Sequence, residues 1–183
     1  MLNAEQGKIL LQLARAAIAE RFGIASAAMQ QADWLGKPGA TFITLKEGGR
    51  LRGCIGSLEA RRPLLDDICH NAVAAAFRDS RFPPLVESEL NKIGVEISVL
   101  SEAKPMDFFD ELDALAQLRP GVDGIILEWG LHRATFLPQV WEDLPQPQYF
   151  LTHLKNKAGL LDDFWSDDIK LSRYTVQKFK EEK

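Results

Sequence analysis

Arg52, Gly53, Cys54 and Gly56 stand together in the segment Leu51-Arg-Gly-Cys-Ile-Gly-Ser57. A cysteine is a nucleophile only as its thiolate, and a neighbouring arginine favours that form. If the segment is extended, Arg52 and Cys54 project from one face, about 7 Å apart along the strand. That separation lets the guanidinium lower the thiol pKa, which makes Cys54 and Arg52 the catalytic candidates. Glycine weakens a strand interior and often marks a bulge or a close approach to the backbone. Gly53 and Gly56 therefore mark the segment as a place where a substrate or partner comes near. The alternative is a small side chain filling a sheet face, as free cysteine commonly does. Two other chemistries fail on spacing. A tyrosine-phosphatase loop needs arginine six positions after the cysteine, where Ala60 stands and Arg61 comes one residue late. A dinucleotide loop needs a strand, a Gly-rich turn and a helix in direct succession, and that unit is absent.

Three further places carry candidate binding residues. Asp79-Ser-Arg-Phe-Pro-Pro84 follows a helical run and delivers Asp79 and Arg81 into a proline-stiffened loop. The competing reading is an Asp–Arg pair that fixes the loop. Glu96 lies on the polar face of an alternating strand. It is either solvated or half of a carboxylate pair, which would need Asp79 or Glu59 beside it. Gln139 and Trp141, in Thr135-Phe-Leu-Pro-Gln-Val-Trp141, line a cleft unless the aromatic residues of that run are core. His70, His132 and His153 are scattered without metal-ligand spacing, so neither a metal nor a cofactor is expected.

The elements that must position these residues follow from periodicity. Asn3 and Gln6 form a capping box, and apolar residues at helical spacing run from Leu10 to Phe22 before Gly23. Residues 24–40 read as a loop. Strands at 41–46 and 50–57 make a hairpin across Glu47-Gly-Gly49, and Pro63 opens a second helix that ends before Asp79. A strand at 93–100, a helix at 107–118, a hairpin at 124–137, a helix at 148–157 and a strand at 169–176 complete the order. The charged end, 177–183, reads as a fraying tail. Hairpins mixed with helices, without regular βαβ alternation, give an α+β fold with a mostly antiparallel sheet flanked by helices.

The bulk properties bound the function. The 183 residues make a single domain, 1–183, with room for a small subdomain packed on it. A net charge of −4 argues against nucleic-acid binding, which calls for a basic face; only Arg50, Arg52, Arg61 and Arg62 cluster. Two cysteines are too few for a disulfide framework. No signal sequence and no apolar run of membrane length is visible, so the expectation is a cytoplasmic protein with no membrane partner.

Several motifs agree in order and spacing with one family. They are Leu51–Ser57, Asn71–Pro84, Glu96–Leu100, Ala134–Trp141, and Phe150-Leu with Leu154-Lys-Asn-Lys-Ala-Gly159. Together they resemble the AMMECR1 domain family, also named AmmeMemoRadiSam system protein A, over residues 5 to 175. The matching positions are Arg52, Gly53, Cys54, Gly56, Asp79, Arg81, Phe82, Gln139, Trp141 and Lys157. The resemblance implies an α+β fold with a larger and a smaller subdomain, and a groove around the cysteine motif. It also implies two partners, a radical SAM protein and a Memo-like protein. Three readings stay open at this point: an enzyme or enzyme component acting with those partners, a non-catalytic adaptor for them or their substrate, and a nucleic-acid binder.

Overall fold

The computed structural model describes residues 2–25 and 32–181. The expected loop at 24–40 therefore lies partly outside the described residues. The rest of it is more ordered than expected: a short 3-10 turn spans Asp33–Gly36 and a strand has begun by Pro38. The fold is α+β, with four helices and two antiparallel sheets among the described residues. Two compact units divide the chain: residues 1–100 with 177–183, and residues 101–176.

The first unit packs two helices on one face of a sheet. Helix α1, Ala4–Glu20, starts at the Asn3–Gln6 capping box, with each side chain accepting from the other's backbone N–H at 2.8 and 2.9 Å. Strand β1, Pro38–Glu47, turns through Gly48 and Gly49, both with positive φ, into β2, Arg50–Gly56. Two consecutive positive φ values make a turn whose twist matches the hairpin, and glycine adopts them without penalty. A two-residue strand β3, Arg62–Pro63, pairs with the start of β1 and leads into helix α2, Leu64–Phe77. Strand β4, Ile93–Leu100, lies beside β1 along its whole length.

Alternation divides the two faces of this sheet. Ile43, Leu45, Ile93, Val95 and Ile97 are fully buried and share a core with Leu10, Ala14, Ile18, Ile68 and Ala72 of the helices. Thr44, Lys46, Gly94 and Glu96 take the intervening positions and stay partly exposed. The charged tail does not fray as expected. Strand β9, Val176–Lys180, adds to β4 as the outer strand, so the sheet order is β2-β1-β4-β9.

The second unit has its own core and its own sheet. Strands β5 (Lys104–Pro105), β6 (Gly124–Trp129), β7 (His132–Phe136) and β8 (Lys170–Tyr174) run in the order β5-β8-β6-β7. Helix α3, Glu111–Gln117, is shorter than the expected 107–118, and it is capped by Asp110. Helix α4, Pro147–Lys157, buries Phe150 and Leu154 completely against Ile125 and Leu127. No helix among the described residues is long and apolar enough to cross a membrane.

Candidate functional site

The glycines of Leu51–Ser57 are there for close approach. A Cβ on Gly53 would overlap the Ala75 carbonyl oxygen, so α2 rests its backbone directly on β2. A Cβ on Gly56 would overlap the Phe42 ring and the Thr41 carbonyl oxygen. The backbone approach anticipated from these glycines is made by the protein's own helix and neighbouring strand.

The hairpin is irregular at Arg52. Leu45 pairs with Gly53 but Lys46 pairs with Leu51, so Arg52 is an extra, bulged residue. The bulge breaks the regular alternation on which the shared face of Arg52 and Cys54 was expected. The Arg52 guanidinium is also engaged elsewhere: Nε donates to Glu89 Oε1 at 2.7 Å and Nη2 to Oε2 at 3.0 Å. Both side chains are largely buried, at 11% and 18% exposure. The bond from Arg52 holds the Glu89 carboxyl below its usual range against the opposing effect of burial, and the Val86 N–H helps. The bond to Glu89 in turn raises the Arg52 pKa. Arg52 Nη1 is buried and has no hydrogen-bond partner among the described residues.

Arg81 is the cation that stands by Cys54. Strand β2 is the outer strand of the sheet, and the peptide groups of Cys54 face away from β1. Asp79 Oδ2 accepts the Cys54 N–H at 2.8 Å, and Arg81 Nη2 donates to the Cys54 carbonyl at 3.2 Å. The two side chains hold each other through Arg81 Nε and Nη2 at 2.9 and 2.7 Å. Asp79 is 3% exposed and Arg81 55%. Arg81 drives the Asp79 carboxyl far below the usual carboxylate range; burial opposes, and the N–H groups of Cys54 and Arg81 add to the lowering. Arg81 is raised chiefly by its bond to Asp79, with a smaller electrostatic contribution from Cys54.

On the outward face the Cys54 thiol meets Thr44, with Sγ 3.3 Å from Oγ1. Thr44 is the cross-strand partner of both Cys54 and Glu96. Lys46 Nζ lies 2.8 Å from Glu96 Oε1. Cys54, Thr44 and Glu96 thus form a row across three strands, with Lys46 beside it, and all four are partly exposed. The carboxylate pair considered for Glu96 does not form with Asp79: each has a basic partner of its own.

A second polar group lies under the helix-facing side. Asp67 is fully buried, and its Oδ2 accepts from Thr41 N (2.8 Å), Thr41 Oγ1 (2.7 Å) and Asn71 Nδ2 (3.0 Å). Its Oδ1 accepts from Ser57 Oγ at 2.7 Å, and Arg62 Nε stands at 3.2 Å. These residues were missed in the sequence, although a signal existed. Asp67 and Asn71 are four apart in α2 and flank its apolar stripe, a place where polar side chains need buried partners.

The candidates of the second unit play packing roles. Trp141 is 3% exposed, stacks on Phe150 with centroids 3.7 Å apart, and donates Nε1–H to the Asp123 carbonyl at 2.7 Å. The core reading of that aromatic run therefore holds for Trp141, while Gln139 is exposed. Lys157 Nζ donates to the Thr135 carbonyl at 3.0 Å and lies over the Phe136 ring. Among the described residues no three His, Cys, Asp or Glu side chains could together hold a metal ion.

Comparison with known proteins agrees with this architecture. The AMMECR1 family model matches residues 11–179. A protein of Methanothermobacter thermautotrophicus is 36% identical over 190 residues, covering 99% of this chain and 97% of its own length. A protein of Thermofilum pendens is 35% identical over 195 residues, covering 98% and 92%. The crystal structure of an uncharacterised protein from Pyrococcus horikoshii superposes with a TM-score of 0.84 at 31% identity, covering 99% of this chain and 94% of that one. The family match, the relatives and the solved structure agree over most of the chain: it belongs to the AMMECR1 family.

Proposed function

We propose that the protein is a non-catalytic binding component that works with a radical SAM protein and a Memo-like protein. It would hold a segment of one of them, or of their substrate, on the outward face around Leu51–Ser57. One observation carries this reading: Arg52, Asp79 and Arg81, three charged residues of the motifs, are engaged by partners within the fold. Arg52 is held by Glu89, and Asp79 and Arg81 clamp the peptide groups of Cys54. What remains outward is a row of polar side chains across three paired strands, Cys54 against Thr44 and Glu96 against Lys46. Side chains already held by a neighbour lose less freedom on contact than free ones.

The test is calorimetric titration of the protein with the radical SAM and Memo-like proteins of the same organism. Binding that weakens tenfold or more in Thr44→Arg or Glu96→Lys, with unchanged melting, supports the reading. Binding indifferent to both, or Cys54-dependent turnover by the isolated protein, overturns it. A thiol-based enzyme reading has one observation in its favour: the Arg81 guanidinium stands beside Cys54 and is half exposed.

A further inference from the structure

The opposite edge of the same sheet is built differently. Strand β9 is the outermost strand, with β4 on one side and no strand on the other among the described residues. Helix α1 runs beside it. Phe179 packs on Gly7, where any Cβ would overlap the Phe179 ring, and the Gln177 side-chain amide clasps both the N–H and the C=O of Leu2. Between helix and strand lies a groove of about 830 Å³, with Gly7, Leu11, Ile93 and Phe179 among its apolar lining. That is within the usual range for ligand sites, roughly 300–1,000 Å³. Lys8 of α1 and Lys178 and Lys180 of β9 rim it. Lys178 and Lys180 alternate along the strand and are exposed. Arg15 also reaches the groove, but Glu181 holds it at 2.6 Å. The rim is locally basic in a chain whose net charge is −4.

We propose that this groove takes up an extended, acidic segment of a partner protein, added to β9 as a further strand. A helix lying along an open strand edge is an arrangement in which peptides dock. Main-chain hydrogen bonds supply affinity, and alternate side chains enter the groove. The lysines choose the occupant. On an open edge they repel a second copy of the same strand, and the same charges attract a strand that carries carboxylates on its outward positions. Lys8 pairs with Glu5 only at 3.8 Å, with both side chains more than two-thirds exposed, so it stays available to a ligand. The groove lies on the helix side of the sheet, while Lys178 and Lys180, alternating with Phe179, point to the same side as Cys54 but on the opposite edge strand.

The probe is the capped peptide Glu-Val-Glu-Val-Glu-Val-Glu, with Lys-Val-Lys-Val-Lys-Val-Lys as the control. Binding is read by fluorescence polarisation at low salt, and strand addition by amide hydrogen exchange of Val176–Lys180 in the full chain. The acidic peptide is expected to bind at least tenfold tighter than the basic one and to slow exchange of the outward amides of β9. The charge reversal Lys178→Glu/Lys180→Glu should invert the preference, and Lys8→Glu provides a second variant on the helix side should the strand variant unfold. Equal binding of both peptides overturns the proposal, as does binding without protection of β9. So does protection already present without peptide: if it rises with protein concentration, a second copy occupies the edge, and if it does not, the chain's own residues do.

Discussion

Replacing Asp79 tests whether the loop after α2 is a clip on Cys54. In Asp79→Ala the Cys54 N–H loses its acceptor, and a part-buried donor left unpaired costs about 1–3 kcal/mol. The ion pair with Arg81 adds little, about 0–1 kcal/mol, because Arg81 is 55% exposed and screened by water. The expected loss is therefore roughly 2–3 kcal/mol in urea unfolding, a large share of a domain's stability. Asp79→Asn keeps an oxygen in place for the N–H and should lose about half as much. The pH dependence has a definite sign. The folded carboxyl sits far below its unfolded value, near 3.9, so its contribution is complete above that value and disappears as pH falls below it. The gap between wild type and Asp79→Asn should then be full at pH 6–7 and narrow steadily below pH 4. Hydrogen exchange supplies a local readout: the Cys54 amide should exchange at least tenfold faster in Asp79→Ala. A Cys54 amide unchanged in that variant, or a stability gap that stays constant down to pH 2.5, would refute the reasoning.

Other outcomes follow from the same contacts. The Cys54 amide should exchange faster in Arg81→Ala and be unaffected in Arg52→Ala, because Arg81 and not Arg52 holds Asp79 and the Cys54 carbonyl in place. Arg52→Ala should instead cost stability, about 3 kcal/mol in denaturant unfolding, by removing the bidentate partner of the largely buried Glu89 and leaving it the Val86 N–H. Gly53→Ala should lower the melting temperature sharply, since its methyl must push α2 off β2, an overpacking cost of about 1–3 kcal/mol or more. Gly7→Ala sets two effects against each other. Alanine improves the helix by about 1 kcal/mol, but the methyl displaces Phe179. Faster amide exchange in β9 without a large change in global stability is the expected result.

Local periodicity made most of the first unit legible. Asn3, Gln6, Gly48–Gly49 and the alternation of Ile93 to Val99 each act through near neighbours, so the elements they define appear where expected. What escaped depends on contacts distant in sequence. The bulge at Arg52 follows from a register fixed jointly by β1 and by the approach of α2 at Gly53. Glu89, 37 residues away, then takes the guanidinium that the local pattern assigned to Cys54. The tail was misread because two of the five residues Val176–Lys180 are lysines and the segment finds its place only against β4, some eighty residues earlier. Trp141 shows the reverse: an aromatic side chain whose N–H is satisfied by the Asp123 carbonyl needs no ligand to account for its burial.

The clip on Cys54 has a consequence for how the five-stranded sheet can grow. Open-ended stacking of identical sheets requires two receptive rims on every subunit, one to accept and one to offer. Asp79 and Arg81 cap the Cys54 peptide on the β2 rim, where a neighbour's backbone would otherwise pair. With the Cys54 peptide occupied, β2 offers a neighbour's backbone an interrupted row of donors and acceptors, which disfavours edge-to-edge growth on that side of the sheet.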